Sequence, residues 1–332
     1  MTIAIILSTL SSISPIAAQS TPAAALLVLS KRDQTLAIVD PASLQVLTTL
    51  PAGPDPHEVV ASADGKMAFI ANYGGGAYNT ISVVDLTEQK ALPRIDLGAL
   101  RGPHGLAFAA GKVYFTAEIN KVIGRYDPVA EKIDWVLGTG QNRTHMIAVS
   151  NAVDHIFTSN VSSGTISIIE RTAAPAGGNA TDWNETVVDT GRGTEGFDIS
   201  PDGKELWSAA ADDGTISIID LNAKKRVQTL EAKVKGANRL KFTTDGKLVF
   251  VSRLSGEGVL AVFEASSRRE VKRVNVGHGA AGILMQPDGT RAYVACSPDN
   301  YVVAIDLKTL EVTGRINAGH QPDGLAWAVR RE

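Results

Sequence analysis

The stretch EGFDISPDGKELWSAAADDGTISIIDLNAKKRVQTL, residues 195–230, decides the fold. Apolar residues alternate with polar ones through four short runs, and PDGK, DDGT and LNAKK supply the turns between them. That is the pattern of a four-stranded antiparallel sheet, each strand burying one or both faces. Two further units repeat it: NRLKFTTDGKLVFVSRLSGEGVLAVFEASSRREVKRV (238–274) and AGILMQPDGTRAYVACSPDNYVVAIDLKTLEVTGRI (281–316).

The position eight residues before the turn glycine fixes a common slot at the start of each unit. It holds His57, Glu195, Asn238 and Ala281, counted from Gly65, Gly203, Gly246 and Gly289. His104 takes the slot after a one-residue deletion before Gly111, and His145 takes it ahead of a degenerate turn, SNAVDH (150–155). QPDGLAWAV at the end of the chain matches GTEGFDI and puts Asp323 there. Successive spacings of 47, 41, 50, 43, 43 and 42 residues are those of four-stranded propeller blades.

The last unit has only its first strand, whereas AALLVLSKRDQTLAIVDPASLQVLTTL (24–50) supplies three strands with no first one. The two ends therefore complete one blade. The expectation is an all-β, seven-bladed β-propeller of four-stranded antiparallel blades over residues 24–332, its ring closed by the N-terminal strands pairing with the C-terminal strand. TAAPAGGNATDWN (172–184) is expected to be a surface insertion.

With 332 residues, 44% hydrophobic and 20% charged, the chain can bury a large core. A net charge of -3 without a long basic run argues against nucleic acid as a partner. Residues 1–18, MTIAIILSTLSSISPIAA, are apolar and uncharged, and are expected to be a signal peptide that sends the protein to the periplasm or outside the cell. No later run is apolar enough for a membrane span. The single Cys296 excludes an internal disulfide.

SPDGKELWSAA, GTISIIDLNAKK and DGTRAYVACSPDNYVVAIDLKT resemble the YVTN-type bacterial β-propeller family over nearly everything after residue 24. The resemblance implies the fold and leaves activity open, since propellers host unrelated chemistries.

In a propeller the first strand of each blade is innermost, so the slot residues ring one mouth of the central channel. The ring reads His57, His104, His145, Glu195, Asn238, Ala281, Asp323, placing three of the chain's six histidines in consecutive blades with a carboxylate next to them. His57, His104, His145 and Glu195 are the expected ligands of one divalent transition metal: zinc, copper, manganese or iron. Ordered water held by the same side chains is the alternative. Three residues before the slots stand Arg101, Arg192, Lys235, His278 and His320; Arg239 lies one residue after its slot. With Asp323 they are the expected contacts of an anionic small molecule, and pairing with nearby acids is the alternative.

Glu118, near the end of the second strand of the His104 blade, and His145 are the candidate catalytic pair. Tyr73 and Tyr78 in NYGGGAYNT read as a lid. The chain lacks the G-x-S-x-G, P-loop and H-E-x-x-H motifs. The PHG at the His104 slot resembles the inner-strand start of virginiamycin B lyase, which implies metal-assisted elimination as a model. Two functions follow: a metal-dependent lyase or hydrolase acting on an anionic small molecule, or a non-catalytic exported propeller that binds a ligand, a metal or, through its rim loops, a protein.

Overall fold

A computed structural model describes residues 20–172, 182–255 and 258–330. The expected signal peptide and most of the 172–184 insertion lie outside the described residues. Seven four-stranded antiparallel sheets form the ring. Blades one to six occupy 56–96, 103–138, 144–189, 194–230, 237–275 and 280–316. Blade seven combines Pro322–Val329, innermost, with Ala24–Ser30, Thr35–Asp40 and Gln45–Pro51. The closure is a ladder with Leu26 opposite Trp327 and Val28 opposite Leu325, so the N-terminal strand Ala24–Ser30 is paired on both edges. Among the described residues no helix is long and apolar enough to cross a membrane.

Each strand's place in its blade explains its sequence. The two middle strands lie between neighbouring blades on both faces, so Met67–Asn72, Glu205–Ala210 and Thr215–Asp220 carry runs of buried residues. Outermost strands face solvent, and Lys90–Asp96 and Arg269–Asn275 are largely exposed. Trp207, Tyr114 and Tyr293 are the largest fully buried side chains.

In every blade the pairing between the inner strand and its neighbour slips at the slot: between Pro56 and Val59, Pro103 and Leu106, Thr144 and Ile147, Thr194 and Phe197, Ala237 and Leu240, and Ala280 and Ile283. In blade seven the shift falls between Val28 and Ser30, opposite Leu325 and Pro322. These bulges free the slot residue from the ladder and re-aim its side chain into the channel. The residue after the slot is glycine in four blades because the next inner strand passes too close for a Cβ. A Cβ on Gly105 would stand 2.5 Å from His145 O, and one on Gly324 2.4 Å from His57 O.

The degenerate turn obeys the same geometry as its glycine-bearing relatives. Val153 N–H donates to Ser150 O at 2.9 Å, as Gly65 N–H does to Ser62 O, and Val153 sits at φ 55°. A β-branched side chain there works against the left-handed backbone by about 1–2 kcal/mol. Val153→Gly is therefore expected to stabilise the fold by roughly 1 kcal/mol, after allowing for glycine's extra unfolded-state freedom. Urea unfolding of the two proteins checks it; a destabilised variant would show that packing of the valine side chain outweighs its backbone strain.

Candidate functional site at the channel mouth

All seven slot residues are the second residue of an inner strand. Five from consecutive blades form a continuous chain of contacts. The His57 and His104 rings lie 5.2 Å apart at 58°, and His104 packs on His145 with ring centroids 3.7 Å apart. His145 Nε2 lies 3.2 Å from Glu195 Oε1, which accepts a hydrogen bond from Asn238 Nδ2 at 2.6 Å. Ala281 adds no polar group, and Asp323 pairs instead with Lys31 at 2.8 Å.

Above this ring lies another, made by the residue that follows each second strand. Glu118 opens the 3-10 turn Glu118–Asn120, one residue beyond Lys112–Ala117; Tyr73 and Lys31 hold the same place after Met67–Asn72 and Ala24–Ser30. Glu118 hydrogen-bonds His145 Nδ1 through Oε1 and accepts the Tyr73 hydroxyl through Oε2 at 2.6 Å. Tyr73 also meets His57 and His104 edge-on, at 5.0 and 4.9 Å. The sequence reading set Glu118 near the end of its second strand and took Tyr73 only as part of a lid. Counting one residue past the strand end would have aligned Glu118 with Tyr73 and Lys31, whereas Asn72 and Asn160 spend their amides on the Ala52 carbonyl and on Thr165 and Ser167.

Electrostatics divide the histidines. Burial, reinforced by the positive charges of His145, His57 and the nearby arginines, holds His104 well below the usual imidazole range, and its Nδ1 is buried without a hydrogen-bond partner. Burial also opposes charge on His145, but Glu118 and Glu195 outweigh it and raise its pKa. Glu195 is correspondingly held at about 2: burial would raise it, and His145, Arg239 and Arg143 overcome that. Burial and Glu118 push Tyr73 up to about 12, keeping it a hydrogen-bond donor.

Arg239 is the buried cation among the expected anion contacts. It reaches across the axis from blade five to Glu58 of blade one, and its Nη1 lies 3.5 Å from Glu195. Asp323 is buried too, and the remaining basic residues of the set lie on the rim, exposed. Arg192 is paired with Asp213, His278 with Asp299 and His320 with Asp33; in each case the same carboxylate also accepts the residue's own backbone N–H. These pairs fasten an inner-strand loop to the turn between the second and third strands of its blade. Arg101 donates to the Ala77 carbonyl at 2.9 Å, its own N–H bonding Asn120 Oδ1, and Lys235 is exposed beside Gly214.

Among the described residues no three His, Cys, Asp or Glu side chains stand together in a metal-holding arrangement. The donors fit a transition ion in kind: three imidazoles and a carboxylate in one contact chain, with one buried ring nitrogen unpartnered. A groove of about 820 Å³ between the outer strands of blades one and two, lined by Phe69, Leu92 and Tyr126, contains none of these residues.

The comparisons establish the fold. No protein-family model matches the chain, and no curated protein matches it significantly, so the YVTN-type resemblance rests on the repeat phrases themselves. A functionally unknown protein from Desulfotomaculum acetoxidans superposes with a TM-score of 0.75 at 13% identity, covering 92% of this chain and 99% of that one. A "putative 6-phosphogluconolactonase" from Bacteroides uniformis gives 0.74 at 15% identity, with the same coverages. Hydrazine synthase from Kuenenia stuttgartiensis gives 0.66 at 16%, covering 82% and 89%. The chain is a seven-bladed β-propeller. Its propeller neighbours differ in what they do, so function must be argued from the mouth.

Two outcomes test this electrostatic picture. Glu58→Ala leaves the buried Arg239 with the Asn238 carbonyl at 3.3 Å and Glu195 at 3.5 Å, and should cost about 3 kcal/mol in urea unfolding, while Glu58→Leu with Arg239→Met should recover most of it. No recovery would mean that the pair is not the cause.

The second outcome concerns pH. A depressed imidazole binds its proton in the unfolded chain first, so His104 contributes stability above pH 6.5 that is lost as pH falls below it. Glu195 adds a further loss as pH falls from about 4.5 toward 2. His104→Gln should therefore flatten the stability profile just below pH 6.5 and leave the lower limb; an unchanged profile would place the acid sensitivity elsewhere.

Proposed function

We propose that the channel mouth is a small-molecule site, and that His57, His104, His145 and Glu195 take up one divalent transition ion there. The observation that carries this reading is the pair His145 Nε2 and Glu195 Oε1. With Nδ1 committed to Glu118, a neutral His145 turns its Nε2 lone pair toward a carboxylate oxygen 3.2 Å away. Two acceptors at that distance need a positive charge between them, either a proton or a metal ion. Donors about 2.0–2.1 Å from one tetrahedral ion are separated by a similar distance. The orphaned Nδ1 of His104 supplies a further donor nearby.

When bound, the ion would polarise a carbonyl or carboxylate, the chemistry of a metal-dependent hydrolase or lyase acting on an anionic small molecule. The protein's own residues have separable tasks. Glu118 fixes the His145 tautomer from behind, as a carboxylate commonly does for a ligating histidine. Tyr73 orients Glu118 and keeps its own proton. In the absence of an ion His145 carries the bridging proton, and the same mouth then serves as a metal-free binding site. The apolar, uncharged residues 1–18 support a place in the periplasm or outside the cell.

Elemental analysis of chelator-free protein is the decisive measurement. Near-stoichiometric zinc, copper, manganese or iron is expected, absent from a folded His57/His104/His145 triple-alanine variant. Uptake should strengthen with pH, by up to tenfold per pH unit while the His145 proton is being displaced. Wild-type protein that holds no metal and takes up none of these ions would overturn the metal reading and leave the proton-bridged site.

A further inference from the structure

We propose that Arg143 receives the carboxylate of the ligand, and that the rim cations do not; this rests on the mouth being a small-molecule site. The first observation is strain. Two residues before each slot the backbone is left-handed in all seven blades. Glycine occupies that place as Gly102, Gly193, Gly236 and Gly279, with φ 55° to 75°, whereas Asp55, Arg143 and Gln321 adopt φ 45°, 57° and 54°. A side chain there opposes its own backbone, and such strain persists where the residue has another use. Asp55, at the same place in blade one, has a visible one, accepting the Gly74 N–H at 2.7 Å.

The second observation is where the Arg143 side chain goes. Nε lies 3.6 Å from Glu118 Oε2, longer than a hydrogen bond, and the side chain is 42% exposed. It is thus held beside the Glu118–Tyr73–His145 cluster by attraction to Glu118 and Glu195 and contact with Tyr73, without a close carboxylate hydrogen bond to its guanidinium. Of the other cations near the mouth, Arg239 is paired with Glu58, Lys31 with Asp323 and Arg192 with Asp213, while Arg101 and Lys235 stand on the exposed rim away from the cluster.

Charge and shape select the ligand class. Glu118 and Glu195 already place two carboxylates in the cluster, against His145 and Arg143. These charges already balance, so a bound monoanion leaves one excess negative charge and a phosphate dianion two, which favours the monoanion. A planar carboxylate also matches the guanidinium fork with two parallel hydrogen bonds.

Isothermal titration with galacturonate, gluconate and inorganic phosphate tests this on wild type, Arg143→Gly and Arg143→Lys. Wild type should bind at least one of the two carboxylates more tightly than phosphate. Arg143→Gly should weaken that binding at least tenfold while its melting temperature holds or rises, because the left-handed strain is relieved. Arg143→Lys should weaken it several-fold by losing the fork. A residue kept only for structure would instead lower the melting temperature when replaced by glycine. The proposal is overturned if glycine binds as wild type does, if neither carboxylate binds wild type, or if phosphate is preferred. Metal content measured on the same samples separates this result from the metal reading, since carboxylate binding through Arg143 can succeed or fail with the ion absent.

Discussion

The bulge in each inner strand is the constraint on which the rest of the mouth depends. A regular ladder would turn alternate residues toward the two neighbouring blades and leave none aimed along a radius. By releasing two residues per strand, the bulge lets one point into the channel while the other, most often glycine, lets the next strand approach. The close approach at Gly105 and Gly324 draws the His104 strand against the His145 strand and the Asp323 strand against the His57 strand. Without it the slot side chains would line a wider tube instead of touching.

The chain uses this geometry unevenly. Where the second released residue is not glycine, as at Glu58 and Arg239, it lies one step deeper along the strand and fills the channel. The Glu58–Arg239 pair spans the axis behind the cluster, tying blade one to blade five. A buried ion pair of this kind gains little in net stability over apolar packing, but it leaves the mouth as the approach to His57, His104 and His145. The same arginine helps hold Glu195 ionised, so the plug and the site share one electrostatic system.

The repeat, and with it the slots, were legible because an eight-residue interval separates the slot from a turn whose hydrogen bond is the same in blade after blade. Even Val153 keeps that interval, so His145 could be placed despite the missing glycine. The second ring was less legible. Strand ends leave no marker of their own, so nothing in the sequence aligned Glu118 with Tyr73 and Lys31. The rim cations illustrate a different limit. Arg192, His278 and His320 looked like a positive collar, but Asp213, Asp299 and Asp33 come from turns some 20 residues away or from the opposite end of the chain. Only the folded ring brings each acid to its partner. Arg143 was legible only as a non-glycine residue at a place where four blades carry glycine, and its approach to Glu118 needed the folded ring.

The asymmetry of the ring bears on chemistry as well as on access. From His57 to Asn238 every slot side chain touches the next, while Ala281 and the salt-bridged Asp323 close the circle with no polar group left unpaired toward the cluster. The working groups therefore lie off the axis, under blades one to four, where Tyr73, Glu118 and Arg143 overhang them. Within this arc two neighbouring imidazoles are driven apart in proton affinity: His104 by burial among positive charges, His145 by two carboxylates. In the ion-free ring a neutral imidazole thus packs on one that keeps its proton between Glu118 and Glu195. The difference comes from placing like residues in equivalent slots and surrounding them differently.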